Sequence, residues 1–152
     1  MPFETATDAL RFITAGNATV ILTFATRRFT LKVRKPTKRT DAGGKVRDHD
    51  AKILFVNELT GDPNAGAFDH FVGFFFADAT INLRQSRKAI LAGEAKCDAF
   101  TALAWVLKRL AADELPDGVT IEHSGNCCRC GREITAKASL AAGIGPECAK
   151  HF

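Results

Sequence analysis

The chain has 152 residues, a length that fits one domain or one domain with a small appendage. Its hydrophobic content of 46% excludes an intrinsically disordered composition, and its net charge of +4 does not by itself indicate a nucleic-acid partner. The N-terminus has no basic region followed by an apolar run, and no stretch of about eighteen apolar residues occurs, so we expect neither a signal peptide nor a membrane span.

The first part of the chain is predicted to form a short helix and a β-hairpin. Residues 7–15 have the partly one-sided apolar stripe of a helix. Residues 19–24 and 29–34 alternate apolar and polar side chains with the period of a β-strand. The polar face of the second strand is basic and carries Arg28, Lys32 and Arg34. The pattern therefore predicts a hairpin with one apolar face and one basic face.

A dense run of cations covers this hairpin and the segment after it. Residues 35–50 contain glycines, a proline and few apolar side chains, which predicts a mobile basic loop. Residues 27–47 contain nine cations and one acid, a net charge of +8. The cations are Arg27, Arg28, Lys32, Arg34, Lys35, Lys38, Arg39, Lys45 and Arg47. Such a cluster is typical of binding to nucleic-acid phosphates; the alternative is a solvated face and a charged loop that protect an edge strand from aggregation.

The middle of the chain adds further strands and one long helix. Strands are predicted at residues 52–57, 68–76, 79–84 and 119–123. The Phe-rich strand 68–76 is predicted to be buried on both faces. Asp98 is the predicted N-cap of the long helix, residues 99–112, whose apolar stripe is expected to pack on the sheet.

The end of the chain has the spacing of a zinc site, a Cys-x2-Cys pair followed later by a Cys-x2-His pair. The predicted ligands are Cys127, Cys130, Cys148 and His151. Three thiolates and one imidazole fill the tetrahedral shell of a structural Zn2+. Gly131 permits a tight knuckle after the first pair, and Pro146 suits the first turn of a helix that carries the second pair. A knuckle followed by ligands from a helix start is the treble-clef arrangement.

Two other residues compete with these ligands. Cys128 is an alternative to Cys127, although the two-residue gap between Cys127 and Cys130 lets both sulfurs reach one metal without strain. His123 is an alternative fourth ligand in place of His151. Because four protein ligands close the coordination shell and no catalytic constellation occurs elsewhere in the sequence, we expect a structural metal and no enzymatic activity.

Together these patterns predict an α+β fold. An antiparallel sheet of about five strands is packed by one long helix, and a C-terminal treble-clef-like zinc lobe follows. We place the domain boundary between residues 1–118 and 119–152. Five cysteines in a chain without a secretion signal favour metal binding over disulfides, so we expect a cytoplasmic protein.

The C-terminal motif also carries a resemblance. The segment Cys-x2-Cys-Gly-Arg-x-Ile-Thr, followed by Ser-Leu-Ala-Ala and Gly-Ile-Gly-Pro-Glu-Cys, resembles a zinc-binding segment that recurs in small phage and prophage proteins. Most of those proteins are described only as domains of unknown function. The resemblance implies a phage-type zinc protein, located in the host cytosol, and brings no established activity.

Two functional hypotheses follow. The first is a small nucleic-acid-binding protein that holds the phosphates of DNA or RNA on its basic hairpin and loop. The second is a protein-interaction module, an anti-CRISPR-like inhibitor of a host nuclease or defence complex, whose cations dock on an acidic protein surface. Salt-sensitive binding to generic nucleic acid favours the first hypothesis, and a stoichiometric complex with one host protein favours the second.

Overall fold

The computed structural model describes residues 2–36, 38–40, 42–44, 46–48, 52–60, 68, 70–78, 81–135 and 137–150. The elements in chain order are α1 (Ala6–Ile13), β1 (Asn17–Phe24), β2 (Arg28–Arg34), β3 (Lys38–Thr40), β4 (Val46–Asp48), β5 (Ile53–Glu58), β6 (His70–Phe76), α2 (Arg87–Leu91), α3 (Asp98–Ala111), β7 (Val119–His123), α4 (Lys137–Ala142) and α5 (Pro146–Ala149). The fold class is α+β, as predicted.

A five-stranded sheet with the order β6-β5-β2-β1-β7 forms the centre of the fold, and all its neighbouring strands are antiparallel. The predicted hairpin is its central pair: β1 and β2 run in register from Asn17↔Arg34 to Thr23↔Arg28. Burial alternates residue by residue along both strands. One face of the sheet is apolar and buried, and the other, here called the open face, carries half-buried and exposed side chains.

Two helices cover the apolar face. Helix α3 buries Phe100, Leu103, Val106 and Leu107 among the core side chains, and α1 adds Phe12 and Ile13. Helix α1 packs beside α3 and against β1, so the helical layer is shared rather than formed by one long helix alone. This division arises because each amphipathic helix has only one apolar stripe to bury.

The sheet differs from the prediction in two places. Residues 35–50 were expected to form a loop, but β3 and β4 pair within them as a separate two-stranded sheet. Residues 79–84 were expected to form a strand, but the described part, residues 81–84, makes only an isolated bridge between Phe74 and Arg84. Pairing stops there because the chain turns into α2, whose N-cap Ser86 accepts a hydrogen bond from the Ala89 N–H at 3.1 Å.

The long helix also begins differently from the prediction. Asp98 is its first residue rather than its N-cap, and Cys97 takes the capping position, with its Sγ accepting a hydrogen bond from the Phe100 N–H at 3.4 Å. The Asp98 carboxylate instead pairs with Arg27. An acid in the first turn still complements the positive end of the helix dipole.

The C-terminal segment docks on the start of β1. The Asn17 N–H donates to the Cys128 carbonyl at 2.7 Å, and the Ser124 N–H donates to the Thr19 carbonyl at 3.3 Å. The predicted boundary after residue 118 stays a prediction, and the strand that follows it, β7, pairs with β1 in the main sheet. The segment that holds the predicted zinc ligands therefore leaves directly from a sheet strand.

None of the helices in the described residues combines the length and the apolar character that a membrane crossing requires.

Gly143 provides a test of how closely the C-terminal segment packs against the core. It has φ +72°, and a Cβ at this position would lie 2.6 and 2.8 Å from two ring carbons of Phe12, which is buried in the core. We expect Gly143→Ala to lower the free energy of unfolding by about 1–3 kcal/mol more than a glycine substitution without such a contact, because the ring has no space to move. Urea denaturation of the zinc-loaded protein measures this difference.

The matched control is Gly118→Ala. Gly118 has φ +80°, and a Cβ there meets no atom within 4 Å, so both substitutions carry the left-handed backbone cost and only Gly143→Ala adds the clash. Equal losses in the two variants would contradict the close contact with Phe12.

Candidate metal centre

Three of the four predicted zinc ligands lie together. The Sγ atoms of Cys127, Cys130 and Cys148 are all within 4.8 Å of one another, the one group of three or more such ligands in the described part of the chain. Sulfurs bound to one zinc at about 2.3 Å in a tetrahedron are separated by about 3.8 Å. The cluster therefore fits a metal ion after small side-chain adjustments, and its thiolate chemistry suits Zn2+.

Backbone geometry brings the first two cysteines to one point. Gly131 has φ +79°, which lets the chain reverse directly after Cys130. The Gly131 N–H donates to the Cys127 carbonyl at 2.9 Å, and the Cys127 N–H donates to the Arg132 carbonyl at 2.8 Å. The Ile134 N–H donates to the Gly125 carbonyl at 2.9 Å and closes the base of this turn. The result is a knuckle that aims both thiols the same way.

The third cysteine comes from α5, which begins at Pro146, the position that the sequence predicts. Gly145 immediately precedes this helix and donates its N–H to the Cys127 Sγ at 3.3 Å. The same sulfur accepts a longer hydrogen bond, 3.5 Å, from the Arg129 N–H. Cys127 thus ties the knuckle to the start of α5, which carries Cys148.

The pKa values separate the two adjacent cysteines. Burial opposes ionisation of Cys127, but backbone hydrogen bonds from Gly145, at Cys130 and from Arg129 outweigh it and lower the pKa of this thiol to about 7. Burial, together with the nearby Cys127 charge, raises the pKa of Cys128 to about 12. Cys127 is therefore suited to bind metal as a thiolate, whereas Cys128 remains a neutral, buried thiol. Burial likewise raises the pKa of the Cys148 thiol.

His123, the alternative fourth ligand, has both ring nitrogens engaged elsewhere. Its Nδ1 accepts a hydrogen bond from the Gly125 N–H at 2.9 Å, which leaves the proton on Nε2 to be donated to the Leu140 carbonyl. The ring also lies 6.0 and 5.7 Å from the rings of Phe3 and Phe12. His123 thus joins the C-terminal segment to the core. The predicted ligand His151 lies outside the described residues.

The predicted basic residues fall into several groups. Arg28, Lys32 and Arg34 lie on the open face of β2, and Lys35 follows at its exposed end. Arg27 is different, since it pairs with Asp98 and its guanidinium lies 4.6 Å from the centre of the Phe29 ring. Lys38, Arg39 and Arg47 belong to β3 and β4 by their backbone. The side chains of those three residues, and all of Lys45, lie outside the described part.

One feature of the open sheet face was missed. The strand predicted to be buried on both faces, β6, leaves Phe71 40% exposed, and Phe74 and Phe76 are only half-buried. A bulge between Val56 and Asn57 shifts the register of β5 with β6. The prediction was wrong because such a bulge leaves no clear sequence signal, and it decides which Phe residues face outward.

The comparisons with known proteins concern the C-terminal segment. Residues 119–152 match the model of a family of unknown function (DUF6011). Searches of the curated proteins and of the solved structures returned no significant match. The match begins with β7 and includes every cysteine of the cluster, so the segment is similar to a known sequence family whose function is not described.

The composition of the cysteine cluster predicts which cysteines are required for zinc binding. We expect Cys148→Ser to lose stoichiometric zinc and to weaken zinc affinity by at least about 100-fold, because loss of a ligand exceeds the effect of losing an outer-shell partner. Cys128→Ala, the matched control, is expected to retain one zinc per chain, since this buried neutral thiol is not in the cluster. Elemental analysis and a chelator competition titration measure both variants. Zinc loss in Cys128→Ala with retention in Cys148→Ser would contradict this assignment.

Proposed function

We propose that this is a small zinc-binding protein in which the metal is structural, and that the open face of its sheet binds nucleic acid. The main observation that supports a metal site is that three cysteine sulfurs lie within 4.8 Å of one another. With a fourth ligand from the end of the chain, for which His151 is the candidate, the shell is closed, as in structural zinc sites. The residues would hold the ion, and its bonds would fasten the knuckle to α5.

The proposed lobe is treble-clef-like. Its parts are a knuckle carrying Cys127 and Cys130, a short hairpin marked by the bridge between Asn126 and Glu133, and a helix start that carries Cys148. The sequence predicts the knuckle and the helix start, in that order, and the bridge between Asn126 and Glu133 is a structural addition. The residues similar to the family of unknown function, 119–152, include all of these parts and also β7 of the main sheet.

Metal is expected to stabilise this lobe because its apolar content is small. Among described residues beyond β7, the large apolar side chains that join the core are Ile134, Leu140 and Ile144. Three such side chains bury little area, whereas zinc binding supplies folding free energy directly. The sheet and α3 have a larger core of their own and do not depend on the metal in this way.

Metal removal tests the structural role. After chelation, we expect the amide resonances of residues 125–150 to lose their dispersion, while those of β1 and β2 keep theirs, because only the lobe depends on zinc. Two-dimensional proton–nitrogen NMR follows both sets in one sample. Cys148→Ser is expected to reproduce this state without a chelator. A folded lobe in a sample shown by elemental analysis to be metal-free would contradict a structural role.

The proposal for nucleic acid rests on the segregation of charge. Residues 27–47 carry a net charge of +8 while the whole chain carries +4, so the rest of the chain is net acidic. Lys32 and Arg34 extend from the open face of β2, the central strand of the sheet. Protection of an edge strand therefore does not account for these two cations. Binding to phosphates is compatible with the position of these two cations, because it requires only a positive surface that a nucleic-acid backbone can reach.

The zinc lobe lies at the same end of the sheet as Arg34. Asn17 pairs with Arg34 across the strands, and its side-chain nitrogen would be 2.6 Å from a Cβ at Gly131 in the knuckle. The exposed Arg129 and Arg132 flank this knuckle turn. A nucleic-acid strand bound along β2 would therefore reach the zinc lobe beyond Arg34. This proximity supports a role for the lobe as a second contact with the nucleic acid.

The proposal predicts salt-dependent binding that needs the open face. We expect Lys32→Gln with Arg34→Gln to weaken binding to labelled oligonucleotides at least about tenfold and to reduce the slope of log affinity against log salt by about 2, because two phosphate contacts are lost. Fluorescence anisotropy over a range of salt concentrations measures both quantities. The control, Lys88→Gln with Lys108→Gln, removes the same charge from exposed sites on α2 and α3.

Equal weakening in the two double variants would show only a dependence on net charge and would contradict binding at the open face. An absence of binding to any oligonucleotide at low salt would also contradict the proposal. In that case the second hypothesis, docking on an acidic surface of a host nuclease or defence complex, would become the one to test.

A further inference from the structure

An aromatic patch lies beside the cations on the open face of the sheet. We define it as Phe55 of β5 with Phe71, Phe74 and Phe76 of β6. The ring centres of Phe55 and Phe71 are 5.8 Å apart, those of Phe74 and Phe76 are 6.0 Å apart, and both pairs meet edge to face. Phe55 is opposite Phe74 across the strands, so the two ring pairs are neighbours on this face.

Strand register places the cations directly against this patch. In one row across the sheet, Arg34 is opposite Phe55, and Phe55 is opposite Phe74. The Arg34 guanidinium lies 6.0 Å from the centre of the Phe55 ring. In the next row, Lys32 is opposite Asn57, which is opposite Phe71. The positive side chains thus border the rings along the side that faces β2.

The rings are not accounted for by the core. Helices α1 and α3 pack on the other face, where Phe75 is fully buried. The bulge in the β5–β6 pairing moves Phe71 to the face of Phe74 and Phe76, whereas regular alternation would have placed it with Phe75. Phe71 is 40% exposed there. A grouped set of partly exposed rings on an open surface is typical of a binding site.

We propose that this face binds single-stranded nucleic acid, with unpaired bases stacking on Phe71 and Phe55 and with phosphates contacting Lys32 and Arg34. This inference rests on the proposed nucleic-acid function and specifies its ligand. A duplex presents phosphates but hides the faces of its bases, so it can use the cations and not the rings. A single strand can use both, and stacking on a ring accepts any base.

Removal of one ring tests the inference. We expect Phe71→Leu to weaken binding to single-stranded DNA or RNA by about fivefold or more and to leave binding to duplex DNA unchanged, because leucine keeps the apolar area but offers no stacking surface. The control is Trp105→Leu, which removes a ring of similar exposure, 38%, from α3 on the opposite face. Thermal melting of each variant checks that the fold is retained.

A spectroscopic measurement makes contact with the base directly visible. The chain has a single Trp, Trp105, so Trp105→Phe with Phe71→Trp leaves one indole, located in the patch. We expect its fluorescence to be quenched on addition of an unlabelled single strand, and to change much less with a duplex. Separate DNA and RNA oligonucleotides of the same sequence show which sugar is preferred.

The outcomes separate this inference from the proposed function. Wild-type affinity of Phe71→Leu for single strands, together with weak binding by the Lys32 and Arg34 variant, would overturn stacking and leave the cationic surface intact. Equal affinity of the wild-type protein for single strands and duplexes would also overturn stacking and leave the cationic surface intact. No binding to any nucleic acid would overturn both. A dimer in sedimentation that dissociates in Phe71→Leu, without an effect of oligonucleotide, would show that a second copy covers the patch and would also overturn the inference.

Discussion

Strand β1 is hydrogen-bonded to β2 along one edge and to β7 along the other, and the remaining parts of the molecule take their positions from this double pairing. Its inward side chains, including Val20 and Leu22, are fully buried, and α1 packs against this strand. Its first residue, Asn17, bonds the Cys128 carbonyl and pairs with Arg34. The cysteine cluster, the helical layer and the basic face are therefore fixed relative to one strand, whose own backbone donors and acceptors are largely satisfied by its two neighbours.

Two kinds of interaction stabilise the C-terminal lobe: contacts with the core and, as proposed, a bound metal ion. His123 bonds backbone groups of the lobe through both ring nitrogens and packs its ring against Phe12, while Gly143 allows the chain to pass close to the same ring. These contacts hold the lobe to the core, but they leave its interior with few apolar side chains. A metal bound by Cys127, Cys130 and Cys148 would connect the knuckle and α5 across that poorly packed interior, where burial alone contributes little.

Local patterns predicted the parts of the fold that depend on local information. Alternation located the hairpin of β1 and β2, and the Cys-x2-Cys spacing located the cysteines that meet in space. Two of the errors involve contacts between residues distant in sequence, whereas the missed pairing of β3 with β4 is local. Asp98 pairs with Arg27 across 71 positions, so the neutralisation of Arg27 could not be predicted from its sequence neighbours. The bulge beside Val56 is also a property of two strands together, and it changes the face on which Phe71 lies.

On the open face of the sheet, the aromatic rings are stronger evidence for a binding site than the cations are. Once Leu31 and Val33 point into the core, alternation sends Lys32 and Arg34 outward, and a solvated face is an ordinary place for such side chains. Solvation gives no comparable reason for Phe55, Phe71, Phe74 and Phe76 to share that face, since partly exposed rings forgo the stabilisation of full burial. The combination is more informative than either part, because a partner must offer negative charge and flat apolar surface at a spacing of a few ångströms. Unpaired nucleotides have both in every repeat unit.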